Sequence, residues 1–180
     1  NADMTNYPNH IGILGTDNAE NSDRFFPKGY AEYRKKWVEN PGKQFFGSFP
    51  LHVDIESTNA CNLKCVMCYT LQLKDVKGLM DFNLFKRVVD EAGRHNAPSI
   101  KIGFRGETTL HPELPRMVKY AKERGIMEVQ FNTNGLLIDK TLAKQLIAAG
   151  PDRIIFSLDG LRPQTYNKIR IGSDFNTVTS

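Results

Sequence analysis

Cysteine is scarce in this sequence and oddly placed: of 180 residues, three are cysteines, and all lie between Cys61 and Cys68. An odd, clustered set cannot frame a disulfide-stapled secreted domain. Long apolar runs are also missing, and no stretch reaches the ~18 residues that a membrane span needs. The first fifteen residues lack the basic start and apolar core of a signal peptide. A cytoplasmic location with no membrane partner is therefore expected. Charge of one sign is nowhere concentrated. There are 24 basic and 20 acidic residues, a net charge of +4, and no block of five or six like charges. Nucleic-acid binding through a basic patch is accordingly not expected. What is present is an ordinary globular composition, 40% hydrophobic and 24% charged, at a length that suits one compact domain with a real core.

The first fifty residues read as an extension. Asn1 to Asp23 is polar and rich in Asn and Asp, a loose arm. From Phe26 to Val38, Tyr30, Tyr33 (or Arg34) and Trp37 recur at helical spacing between Pro27 and the breaker Asn40-Pro41-Gly42. The spacing predicts a short amphipathic helix that braces the body with an aromatic edge.

After Pro50 strands and helices alternate. Strands are expected at Leu51–Ile55, Ile100–Phe104, Met127–Phe131 and Arg153–Leu158. Between them, Leu84, Val88, Val89 and Ala92 form a helical stripe that Asp81 or Asn83 can cap. Leu114, Met117, Val118 and Ala121 form a second, ended near Gly125. Leu142, Leu146 and Ala149 form a third, stopped by Gly150-Pro151. A last short helix is expected from Pro163 to about Arg170. This order predicts an α/β fold, a parallel sheet with outer helices. In such sheets the chemistry gathers at the carboxyl ends of the strands. Those ends carry Cys61 to Cys68, Arg105-Gly106-Glu107, Asn132-Thr133-Asn134-Gly135 and Ser157-Leu158-Asp159-Gly160. Each alone reads as a turn, but together they would line one mouth.

The cysteine segment reads Cys61-Asn62-Leu63-Lys64-Cys65-Val66-Met67-Cys68. Structural zinc takes four protein ligands, often as two close pairs. Here there are three thiols, and neither His52 nor His111 sits at a usual ligand spacing. Electron-transfer clusters normally use four cysteines. Three thiolates on a four-iron cluster leave one iron without a protein ligand, and an open metal position is where substrates are activated.

In these three cysteines, placed after the first strand, the sequence resembles the radical S-adenosylmethionine (SAM) superfamily. The resemblance implies a partial (β/α) barrel and a [4Fe-4S] cluster on Cys61, Cys65 and Cys68. It also implies SAM bound at the open iron and cleaved reductively to a 5′-deoxyadenosyl radical, which abstracts hydrogen from a substrate. Met67 stands at a position near the adenine that is usually aromatic. Gly106 and Glu107 resemble the glycine-rich motif that takes the SAM amino group, with Arg105 and Thr108 departing from its usual residues. Arg105 is read two ways, as a binder of a substrate carboxylate or phosphate, or as the partner of an acid in the fold. Thr133-Asn134-Gly135 resembles the turn after the third strand, with Gly135 at positive φ and Asn134 reaching SAM. Ser157 to Gly160 and Thr165 to Arg170 resemble the branch whose members carry a SPASM domain. There Ser157 would donate to SAM and Arg170 would hold its carboxylate, although Arg170 reads equally as a residue on a solvated helix face, and Asp159 reads equally as one that caps or turns the next segment.

The resemblance runs from Leu51 to Gly172, giving residues 1–50 as an extension and 51–180 as the radical SAM core. About four of the six expected strand–helix units are visible, so the chain is expected to be a front part of a longer enzyme, one that works poorly alone. Its partners would be an unknown substrate, a peptide or sugar-like alcohol among the possibilities, and a reductant protein such as a flavodoxin or ferredoxin. The competing readings are a non-catalytic iron–sulfur electron-transfer module and a zinc-binding interaction domain.

Overall fold

The computed structural model describes residues 27–74 and 76–180. The chain divides into two compact units, with the boundary between Phe45 and Phe46. The arm expected over Asn1 to Asp23 lies outside the described residues, as does Phe26.

In the first unit, helix α1 spans Tyr30–Gly42. Tyr30 and Tyr33 are buried and meet edge to face at 5.8 Å, and Tyr33 meets Trp37 the same way at 6.0 Å. The predicted helix is present but runs through the Asn40-Pro41-Gly42 breaker. The carbonyls around the proline still find donors, because Lys43 N donates to Glu39 O, Phe45 N to Asn40 O and Gln44 N to Pro41 O.

The second unit is a four-stranded parallel sheet with strands β1 (His52–Ile55), β2 (Ser99–Ile102), β3 (Glu128–Thr133) and β4 (Arg153–Phe156), in the order β1-β2-β3-β4. Each crossover carries one helix: α2 (Phe82–Arg94), α3 (Leu114–Glu123) and α4 (Lys140–Ala149). Short helices α5 (Pro163–Ile169) and α6 (Phe175–Thr179) follow β4. All three crossover helices share one core with one face of the sheet, where Ile55, Ile100, Ile102, Val129 and Phe131 meet Phe85, Val89, Met117, Val118 and Leu146. The strands alternate, as a sheet buried on one face must.

Local chemistry accounts for most boundaries. Asp81 caps α2 by accepting from Asn83 N and Leu84 N, which decides between the two candidate caps. Gly150 closes α4 in the left-handed conformation at φ 75°. Several expectations shift, and β3 runs on to Thr133. The buried stripe of α2 is Phe82, Phe85, Val89 and Ala92, while Leu84 is exposed. The 3.6-residue period places these four on one side of the helix. Strand β2 ends at Ile102 because Gly103 turns at φ 119°, leaving Phe104 exposed. Strand β4 likewise ends two residues early, at Phe156. Helix α6 was not anticipated. Asp174 caps it, accepting from Thr177 N.

Among the described residues, no helix is long and apolar enough to cross a membrane.

Candidate active site at the carboxyl ends of the strands

The cysteine loop leaves β1 and is pinned on both sides. On one side Thr58 pairs with Leu79, Thr58 Oγ1 donates to Gly78 O, and the Asn59 side chain bonds both Val76 O and Gly78 N. On the other, Lys64 N donates to Ile171 O at 2.8 Å and Val66 N to Ile169 O at 3.0 Å. These two bonds set Cys65 opposite Arg170. Cys65 is buried, Cys68 half-buried and Cys61 exposed. Burial pushes the Cys65 thiol up, against the pull of the Arg170 guanidinium. It pushes Cys61 up as well, opposed by the Leu63 N–H and aided by the Glu107 charge. Thiols held protonated in this way must release protons when a metal group takes them as thiolates. Among the described residues no three His, Cys, Asp or Glu side chains converge tightly enough for a single metal ion.

Both candidate histidines are engaged elsewhere. His111 accepts from Glu113 N on Nδ1, so its Nε2 carries the proton and donates to Met80 O at 2.9 Å. His52 Nδ1 meets Ser99 Oγ at 2.8 Å.

The turn after β2 docks directly on the cysteine loop. Glu107 N donates to Ala60 O at 2.7 Å. At Gly106, φ 73°, an added Cβ would lie 2.5 Å from Ala60 O and 2.6 Å from Thr58 O. Only glycine permits that approach. The Glu107 carboxylate is 3% exposed and accepts four hydrogen bonds: from Thr109 N (3.1 Å), Thr109 Oγ1 (2.5 Å), Thr133 Oγ1 (2.7 Å) and Asn134 N (2.8 Å). It therefore fastens the β2 turn to the end of β3. Asn134 extends the chain of contacts, donating from Nδ2 to Asn62 Oδ1 at 2.8 Å. Gly135 has the positive φ expected of it, at 80°.

Arg105 resolves toward the fold partner. Its Nε and Nη2 grip the two oxygens of Glu56 at 2.7 and 2.8 Å, and its N–H also reaches Glu56. That fork holds the Glu56 carboxyl below the usual range. Asp159 was expected to cap or turn the next segment. Instead it accepts from Arg170 Nε at 2.6 Å, while Arg170 Nη1 points at Cys65 Sγ, 3.9 Å away.

The structure thus brings Cys61, Cys65, Gly106, Glu107, Asn134 and Arg170 into one connected region. Ser157 joins only through its backbone, whose N–H donates to Thr133 O at 2.9 Å. Met67 is 56% exposed and meets none of them through a hydrogen bond or ion pair. Sequence reasoning missed Glu56 and Asn62. Asn62 adjoins Cys61 and Glu56 directly follows β1, so position alone was the available signal.

A sequence model described as the Radical SAM superfamily matches residues 55–179. The tungsten-containing aldehyde ferredoxin oxidoreductase cofactor-modifying protein of Pyrococcus furiosus is 36% identical over 129 residues, covering 70% of this chain and 35% of that protein. A probable GTP 3′,8-cyclase of Methanococcus maripaludis is 34% identical over 122 residues, covering 67% of this chain and 40% of that one. The chain therefore spans well under half the length of these relatives. Among solved structures, Streptococcus suis SuiB bound to precursor peptide SuiA superposes with a TM-score of 0.62 at 23% identity, over 80% of this chain and 32% of that one. AnSMEcpe with bound AdoMet gives 0.61 at 25%, over 72% and 39%. The fold is the one these structures share, a parallel sheet of the partial (β/α) barrel type.

Proposed function

The chain belongs to the radical SAM superfamily, and from that premise we propose that it carries the cofactor end of an enzyme that generates a SAM-derived radical. The observation that carries this reading is the cysteine loop at the end of β1, tied to the turns after β2 and β3 and to the segment after β4. Cys61, Cys65 and Cys68 are the thiolates for a [4Fe-4S] cluster. Their donor set fits, being three soft ligands on one loop with no histidine drawn in. With its cluster and SAM bound, such a site supplies reductive cleavage of the sulfonium to a 5′-deoxyadenosyl radical that abstracts hydrogen from a peptide or sugar-like substrate.

The chain's own residues hold and shape that site. Gly106 lets the β2 turn close on the loop, and Glu107 presents a carboxylate suited to an ammonium. Asn134 and Ser157 offer amide and hydroxyl groups from the next two strand ends. Arg170 brings a guanidinium suited to the SAM carboxylate, already oriented by Asp159. Met67, lacking an aromatic ring, would offer the adenine only an apolar cover. Residues 51–180 form the radical SAM core and 1–50 the extension. Electrons come from a low-potential donor such as a flavodoxin or ferredoxin, which suits a cytoplasmic location.

The test is anaerobic reconstitution of the chain within its complete protein. About four irons and four sulfides should bind at this motif, with SAM cleaved on reduction. Changing Cys61, Cys65 or Cys68 to Ala should abolish both. Full iron content and an unchanged absorption band in any one of these variants would defeat the assignment.

A further inference from the structure

Each of the three thiols faces a donor from the chain. Cys61 Sγ accepts from Leu63 N at 3.4 Å, Arg170 Nη1 stands 3.9 Å from Cys65 Sγ, and Cys68 Sγ meets Thr70 Oγ1 at 2.8 Å. The first donor is backbone, and the second belongs to a guanidinium that also serves Asp159. The third is the shortest contact of the three. It comes from a side-chain hydroxyl with no other hydrogen-bond partner among the described residues.

Local structure sets the hydroxyl there. Cys68 leads into a short 3-10 turn, Tyr69–Gln72, with extended backbone at φ −83° and ψ 114°. Its own N–H is tied back to Cys65 O at 3.0 Å. Leu71 N donates to Cys68 O and Leu73 N to Thr70 O, both at 3.3 Å, so the backbone is held on either side of Thr70. Threonine hydroxyls in turns commonly bond a nearby backbone group. This one turns to the sulfur two residues back, and Thr70 is half-buried.

While Cys68 is a thiol, either partner can donate. A metal-bound thiolate has no proton, so the hydroxyl alone can then be the donor. Hydrogen bonds to the sulfurs are among the levers that set a cluster's reduction potential. An added electron makes the sulfurs more negative, and a donor aimed at one of them stabilises that state more than the oxidised one.

We infer that Thr70 is a positioning residue of this kind: its hydroxyl, held against the Cys68 sulfur, raises the reduction potential of the cluster that the three cysteines carry. The inference rests on the cluster reading above. In the step it tunes, one electron passes from an external reductant to the oxidised cluster. The hydroxyl keeps its proton, and no bond to the protein forms or breaks.

The experiment uses the complete protein with its cluster reconstituted anaerobically and no SAM added. A redox titration with low-potential mediators, read by electron paramagnetic resonance of the reduced cluster, compares the parent with Thr70→Val, Thr70→Ala and Thr70→Ser. Thr70→Val keeps the side-chain shape without the donor. At the parent's midpoint its ratio of reduced to oxidised cluster should fall about three- to ten-fold. The midpoint then lies lower by about 30–60 mV, since a ten-fold change in a one-electron couple is about 59 mV. Thr70→Ala leaves room for a water to donate in the hydroxyl's place, so it should shift the same way by less. Thr70→Ser keeps the donor and should titrate with the parent. Iron and sulfide content should be equal in all four proteins. A Thr70→Val midpoint equal to the parent's, or Thr70→Ser shifted as far as Thr70→Val, would overturn the tuning role while leaving the cluster reading intact. Loss of the cluster from Thr70→Val and Thr70→Ser alike would also overturn it, because that outcome marks a packing residue. A parent protein that takes up no cluster would overturn both readings.

Discussion

Removal of the Glu107 carboxylate should unfasten two strand ends before it touches any chemistry. Four donors converge on it, two hydroxyls and the two backbone N–H groups of Thr109 and Asn134. In Glu107→Ala the hydroxyls can rotate away from the lost carboxylate, and Thr133 Oγ1 keeps the bond it accepts from Gly135 N. The two N–H groups cannot turn. Each buried donor stripped of a charged acceptor costs roughly 1–3 kcal/mol, so the variant should lose about 3–5 kcal/mol once the space left by the side chain is included. That is a large share of the ~5–15 kcal/mol that holds a domain together. Weak SAM binding by Glu107→Ala would then report a loosened fold.

Glu107→Gln separates the two effects. With its amide nitrogen placed toward the threonines, it donates to both hydroxyls, and its oxygen still accepts from Asn134 N. Only the 3.1 Å bond from Thr109 N is lost, a cost of about 1 kcal/mol. The assay is urea unfolding followed by far-UV circular dichroism, since the single tryptophan, Trp37, belongs to the first unit. If the carboxylate also meets the SAM ammonium, Glu107→Gln should bind SAM roughly ten-fold more weakly while unfolding almost as the parent does. Glu107→Ala unfolding cooperatively within about 1 kcal/mol of the parent would refute the fastening role.

Two further outcomes follow from ion pairs and burial. Arg105→Lys keeps the charge but loses the fork on Glu56, so it should destabilise the second unit by about 1 kcal/mol, and a change indistinguishable from zero in denaturant titration would remove the fork from the account. His52 is held neutral below its ordinary range, chiefly by burial and against the pull of Asp54 and Glu128. The unfolded chain therefore binds the extra proton first, and the stability from a neutral His52 is full above the ordinary histidine pKa and falls as pH drops below it. His52→Gln should flatten the pH dependence of urea midpoints in that window, and an unchanged slope would contradict the burial.

Much of the sheet was legible because its pattern is local. Four strands, three crossover helices, the Gly150 stop and the Asp81 cap all follow from periodicity and end chemistry within a few residues. The misplaced stripe of α2 has its cause in tertiary packing. Leu84 belongs to the apolar count of α2, but the sheet meets the face of Phe82 and Phe85. The site was legible as four strand ends and illegible as contacts. Asn62 with Asn134 and Glu56 with Arg105 join residues 72 and 49 apart, and no spacing rule spans such distances. Glu107 shows the same limit. Its type pointed to an ammonium partner, whereas its surroundings give it four partners inside the chain.

The second face of the sheet is built differently from the first. Parallel strands are usually apolar on both faces because helices cover both. Here the face opposite the core carries ion pairs between neighbouring strands or their ends: Glu128 with Arg153 at 3.3 Å, Asp54 with Lys101 at 3.0 Å and Glu56 with Arg105 at 2.7 Å. The first of these is joined to a buried relay. Glu128 accepts from Ser99 Oγ, which leaves that hydroxyl to accept from His52 Nδ1–H, so the tautomer of His52 follows from the carboxylate two strands away. That relay lies at the amino ends of the strands, where it serves the fold. Asp54–Lys101 and Glu56–Arg105 step from there toward the carboxyl ends, and both pairs are partly exposed. Exposed pairs contribute little to stability, so packing alone gives no reason to interrupt an apolar face with them.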